Sequence, residues 1–239
     1  MSEPVTMRCG LPLLQPAQAQ KHVTVNDAMM RLDALVNLVL NSASVPVPPA
    51  VVVDGQCWAV PPGATGAWAG HGGEIAIGAN GGWVFANPQR GQRAFVLDRG
   101  AQALWTGKAW VEGGLTLGAL GGGMDAGVTE GEVEITAGTA MWAGVFIPAN
   151  SMVIGVTSRV IRTITGTLTS WQVGMSGSAN RFGSGLGLEQ NSWGQGLLSA
   201  PMSFYAEQNL RLSATGGAFQ SGRVRLSIHW LALRLPDPV

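Results

Sequence analysis

The stretch GRVRLSIHWLALRL, residues 222–235, decides the fold. Val224, Leu226, Ile228 and Trp230 alternate with Arg223, Arg225, Ser227 and His229. That period of two places successive side chains on opposite faces of a strand. One face belongs to a core, and the other to water or to a neighbour. Upstream, EVEITA, MWAGVFIP, MVIGVTSRVIRTI, TSWQVGM, MSFYA and LRLSA read as further strands, with Gly, Asn and Ser at the turns. Six or more strands at this spacing predict an antiparallel β-sandwich, jelly-roll-like, over residues 128–239.

Composition points the same way. Of 239 residues, 46% are hydrophobic, only 12% are charged and 35 are glycine. The expected class is mainly β. With 14 basic and 14 acidic residues, there is no basic excess to attract nucleic acid. No run approaches the ~20 apolar residues of a membrane span. The opening MSEPVTMRCG lacks the basic segment and apolar run of a signal peptide. Cys9 and Cys57 are too few for a disulfide framework and read as reduced thiols.

The N-terminal part divides at Pro46, Pro48 and Pro49. Residues 1–45 hold an extended segment and one helix, with Thr24 as N-cap and Asp27 three residues on. Val25, Leu32, Leu35 and Val39 follow a heptad-like spacing and form a candidate oligomerisation stripe. The other reading is one amphipathic helix packed on its own domain. Residues 46–112 read as a small Trp-rich domain of hairpins, turning at Asn80-Gly81 and around Thr106-Gly107. Its tryptophans, Trp58, Trp68, Trp83, Trp105 and Trp110, form either a core or a sugar-stacking surface. GGLTLGALGGGMDAG, residues 113–127, reads as a Gly-rich linker before the sandwich.

Catalytic chemistry is hard to find. His22, His71 and His229 lack metal-ligand spacing, no G-x-S-x-G elbow is present, and no metal or cofactor is expected. Glu189 and Glu207 are the only acids between residues 135 and 235, a thin basis for glycoside hydrolysis. RFGSGLGLEQ neither follows a strand nor opens a helix, so it reads as a loop rather than a phosphate cradle. The expectation is a binding protein and not an enzyme. Between residues 140 and 235, seven arginines (159, 162, 181, 211, 223, 225 and 234) face two acids, an excess of five positive charges. Guanidinium groups suit an acidic ligand. The region 177–198 adds Asn180, Arg181, Gln190, Asn191, Trp193 and Gln195, amides, a guanidinium and an aromatic that suit sugar binding; of these Asn180, Arg181, Gln190, Asn191 and Trp193 are the candidate carbohydrate-binding residues. The alternative is an ordinary loop whose Trp193 packs on its own sandwich.

Three motifs carry a family resemblance: LPLLQPAQAQKHVTVNDAMMRLDALV (11–36), GATGAWAGHGGEIAIGANGGWVF (63–85) and ALWTGKAWV (103–111). Residues 11–112 resemble a domain family of uncharacterised function found in tail fibres and spikes of alphaproteobacterial prophages and gene transfer agents. IPANSMVIGVTSRVI, RFGSGLGL and GGAFQSGRVRLSIHW look like the distal module of such fibres. The resemblance implies a virion or gene transfer agent component made in the bacterial cytoplasm. It implies an N-terminal part that attaches to other particle proteins, and a distal part that binds host surface polysaccharide. A homotrimer fits such an appendage, since linked copies of a weak site gain ~10²–10⁴-fold in avidity. The rival roles are a purely structural connector and a polysaccharide depolymerase.

Overall fold

The computed structural model describes residues 4–14 and 21–238. The chain is mainly β and divides into two compact units, residues 1–117 and 118–239. The first contains helix α1 (Lys21–Leu35), then β1 (Val39–Leu40), β2 (Cys57–Ala59), β3 (Ile75–Ala79), β4 (Gly82–Ala86), β5 (Arg93–Val96), β6 (Ala101–Trp105) and β7 (Trp110–Glu112). These strands make one sheet in the order β4-β3-β2-β1-β5-β6-β7. The two-residue β1 lies at its centre, parallel to both β2 and β5.

The helix differs from its sequence pattern in register and length. Thr24 lies inside α1 rather than capping it, and the helix ends before Asn37, whose φ is +47°. Arg8 fixes that end: its guanidinium donates to the carbonyls of Ala34 (2.6 Å) and Asn37 (2.7 Å). A cation at the last turn also complements the helix dipole. The predicted stripe is therefore broken. Val39 belongs to β1, and Leu35 packs against the core formed by Ala34, Leu38, Leu40, Cys57, Ile75 and Ile77. Val25 is half-buried and Leu32 stays exposed. Helix and hairpins therefore share one core, and the boundary drawn at residue 45 separates nothing.

Asn80-Gly81 makes the expected two-residue turn, with φ of +52° and +73° between paired Ala79 and Gly82. Both central residues at positive φ is the hairpin geometry that Asn-Gly favours. The tryptophans resolve as core. Trp68 is buried between Trp58 (5.8 Å between ring centroids) and Trp83 (5.2 Å), and Trp105 packs on Trp110 (5.5 Å). Burial pushes the Cys57 thiol up to about 11, while Cys9 is exposed; both are free thiols.

The second unit contains β8 (Gly123–Ile135), β9 (Ala140–Ile147), β10 (Ser151–Gly166), β11 (Ser170–Met175), β12 (Ser178–Leu186), β13 (Trp193–Phe204), β14 (Gln208–Thr215) and β15 (Phe219–Arg234). Two four-stranded sheets form, β13-β10-β15-β8 and β12-β11-β14-β9, with every pairing antiparallel. The chain passes repeatedly from one sheet to the other, which is the strand order of an eight-stranded jelly roll. Val224, Leu226 and Ile228 of β15 are fully buried with Val153, Trp171, Leu210 and Leu212 between the sheets. The alternation along residues 222–235 thus places a core face and an outer face as expected.

Two boundaries move. Residues 123–127, read as linker, are the first part of β8 and pair with residues 230–234 of β15. RFGSGLGL, read as loop, lies largely in β12, an edge strand whose register against β11 shifts twice. Gly183 and Gly185 there take φ of +152° and +66°, so the composition that suggests a loop here builds an irregular strand.

Candidate functional site

The outer face of the first sheet carries the candidate site. Cross-strand register aligns its side chains in rows. Trp193 of β13, Arg159 of β10, Arg225 of β15 and Glu132 of β8 form one row. Gln195, Thr157, Ser227 and Glu130 form the next. On the other side, Arg162, Arg223 and Glu134 continue the pattern. Arg225 donates to Glu132, Arg162 and Arg223 both donate to Glu134, and Ser227 donates to Glu130 at 2.7 Å.

This ladder corrects the reading of the arginine excess. The charges that balance it lie in β8, upstream of the segment counted. Arg162, Arg223 and Arg225 pair with β8 glutamates, and Arg234 pairs with Asp125 at 3.2 Å. Arg211 lies 5.8 Å from the centroid of the Trp142 ring. Hydrogen bonding from Arg225 and the charges of Arg225 and Arg223 hold Glu132 below the usual carboxylate range. Bonds from Arg223 and Arg162 do the same for Glu134. Depressed carboxyl groups contribute their stability above the unfolded value near 4.5; it is lost as pH falls through the folded values. Because the pairs are exposed and screened by solvent, Glu134→Gln is expected to leave the Tm close to that of the wild type at neutral pH and to make no difference at acid pH, read by calorimetry at the two pH values.

Arg159 stands apart from this ladder. Among the described residues no carboxylate pairs with it, and its Nη1 donates to the carbonyl of Asn191 at 3.2 Å. Beside it Trp193 is 65% exposed. Together with Thr157, Gln195, Arg225 and Ser227 they line an open cavity of about 230 Å³. An uncovered indole, a guanidinium and neutral hydrogen-bonding groups are what a pyranose ring and its substituents require.

The predicted residues divide between two places. Gln190, Asn191 and Trp193 lie together at the turn before β13. Gln190 Nε2 donates to the Ile161 carbonyl at 3.1 Å, and the Asn191 N–H donates to that of Val160 at 2.8 Å. Asn191 sits at φ +71° in this turn. Gln190 and Asn191 thus hold the turn on β10, and Trp193 is its outward side chain. Arg181 and Asn180 are exposed on β12 of the second sheet and do not line the cavity. Of the other lining residues, Gln195 is among the amides read from residues 177–198 and Arg159 among the seven arginines of the excess, but the sequence pattern does not set either beside Trp193, and Thr157 carries no sequence signal.

Elsewhere, His71 stacks on Phe85 (3.5 Å between centroids) and bonds to Glu74 at 2.7 Å. Among the described residues no group of His, Cys, Asp and Glu is arranged to hold a metal ion. Among the described residues no helix is long and apolar enough to cross a membrane.

A family model described as a protein of unknown function (DUF2793) matches residues 25–111. That match falls within the stretch whose motifs carry the resemblance and covers less than half of the chain. Among solved structures, the chain is similar to one in the cyanophage Pam1 capsid asymmetric unit. The two are 25% identical, with 49% of this chain and 92% of that one covered at a TM-score of 0.37. No curated protein matches the chain.

Proposed function

We propose that the protein is an appendage component of a phage or gene transfer agent particle. Its jelly-roll unit binds polysaccharide on the host surface, and several copies act together, as in a homotrimer. The carrying observation is Trp193, exposed beside an arginine without a carboxylate partner among the described residues. The motifs in residues 11–112 support the particle setting. The cavity is open and shallow, which suits one or two sugar residues held weakly and multiplied by avidity. Arg159 favours an acidic sugar, so binding weakens as salt screens the pair. The role is recognition rather than catalysis, and attachment to other particle proteins falls to residues 1–117.

The test is binding of the fluorescently labelled full chain to immobilised acidic and neutral bacterial polysaccharides. Trp193→Ala and Arg159→Gln are each expected to weaken binding about tenfold, the size of one stacking or charge-assisted contact. Arg181→Ala should bind like the wild type. Equal binding by all three variants, with unchanged melting, would overturn this site. A chain that binds no polysaccharide would overturn the recognition role and leave a connector.

A further inference from the structure

The outer face of the first sheet changes character along its length. Beyond the Gln195–Thr157–Ser227–Glu130 row come Leu197, Gly155, His229 and Val128, then Ser203, Met152, Leu231 and Ala126, then Leu233 and Met124. Leu235 and Tyr205 stand at the rim. Five of these side chains, Val128, Leu197, Tyr205, Leu233 and Leu235, are between 52% and 84% exposed. Arg and Glu are absent from these rows.

We infer that this apolar half of the sheet face is where a second copy of the chain packs. The inference rests on the multivalent reading above and moves the contact from helix α1 to the jelly roll. With strands about 4.8 Å apart and about 3.3 Å per residue, β15 and β8 over seven residues and β10 and β13 over five cover roughly 380 Å², and the rim side chains add to that. Such a patch is as large as the largest that monomers leave uncovered. It also approaches one partner's share of a small specific interface.

Two features favour a copy of this chain over a different partner. The patch carries both halves of a self-complementary contact. A cavity of about 540 Å³ opens among Met152, Phe204, Tyr205, Leu231 and Leu233, beside the projecting Leu235. A two-fold contact needs a knob and a hole on the same surface, so this face pairs copies as dimers, the simplest case of several copies acting together, and not as the three of a homotrimer. The flanking ladder is also neutralised within the chain, glutamate against arginine. It offers little field to draw a charged partner and little repulsion between two copies. The Gln195–Thr157–Ser227 row, the edge of the sugar cavity, lies two residues, about 7 Å, from the Leu197 row along β13. The sugar cavity and the self-contact are therefore neighbours on one sheet that share no side chain.

Sedimentation velocity of the full chain over a concentration series tests this. The wild type is expected to assemble, and Leu197→Glu and Leu233→Glu are each expected to weaken assembly roughly a hundredfold, since each places an unpaired charge in the contact. Both positions are exposed, so the variants should melt with the wild type. Trp193→Ala should assemble normally, which separates this inference from polysaccharide binding. Leu32→Glu, on the exposed side of α1, should also leave assembly intact. A monomeric wild type would overturn both the multivalent reading and the contact. Assembly that survives both leucine changes, or that Leu32→Glu abolishes, would overturn this face alone.

Discussion

Asp33→Ala should cost the N-terminal unit about 3–5 kcal/mol, the scale of losing three hydrogen bonds to one charged acceptor. Asp33 is 2% exposed. Its carboxylate accepts from the Thr6 hydroxyl at 2.8 Å, the Arg8 N–H at 2.9 Å and the Cys9 N–H at 2.5 Å. This one side chain on α1 therefore ties down the turn at residues 7–9, and that turn delivers Arg8 to the C-terminal carbonyls of the helix. Alanine leaves the three donors to find water and loosens the helix end at the same time. Calorimetry of the full chain should show the loss in the transition of residues 1–117, with the jelly-roll transition unmoved. An unchanged first transition would rule out this anchoring role.

The same carboxylate gives that unit a pH signature. Burial pushes its pKa up, but the three hydrogen bonds outweigh burial and hold it below the ordinary 3.8. A depressed carboxyl contributes its full stability above the unfolded value and loses it as pH falls through the folded one. Residues 1–117 should therefore keep their melting temperature until the pH drops below about 3.8. Asp33→Asn, which cannot titrate, should start lower and show a flatter acid limb.

What the sequence disclosed and what it hid divide along the range of the interactions. The β15 alternation and the Asn80-Gly81 turn are local signals, and both appear where read. The end of α1 is set by Arg8, more than twenty residues away, so a heptad count ran through it into β1. GGGMDAG has the composition of a linker, yet Gly127 lies under the Trp230 ring, where a Cβ would come within 2.3 Å. Its glycines answer to a packing partner a hundred positions downstream. The arginine excess misled for the same reason, because its counter-charges sit in β8, outside the segment counted. At the site, Trp193 was legible as an aromatic in a polar loop. Arg159 was legible only as one arginine of the excess, because only the pairing of β10 with β13 brings it alongside Trp193.

Gly196→Ala should destabilise the jelly roll by about 3 kcal/mol, the upper end of what overpacking costs. At Gly196 a Cβ would lie 1.6 Å from the Phe182 carbonyl oxygen, and at Gly194 it would meet Ser158 Oγ at 2.7 Å and Leu186 at 2.8 Å. The Phe182 and Leu186 contacts mark the seam where β13 of one sheet runs against β12 of the other; at Gly194 side chains would have to give, but at Gly196 it is main chain that would have to yield. The motif Trp193-Gly-Gln195-Gly-Leu197 then has a physical reading. Its inward positions are glycine so that the two edges can close, and its outward positions carry the groups offered to sugar and to a second copy. Guanidinium unfolding followed by tryptophan fluorescence should show the lower midpoint for Gly196→Ala. Gln195→Ala, one position away and outward, should unfold with the wild type and weaken polysaccharide binding by only a few-fold, as for one neutral hydrogen bond. A Gly196→Ala protein as stable as the wild type would mean that the seam is not closed in solution. The positioning of Trp193 beside Arg159 would then lose its support.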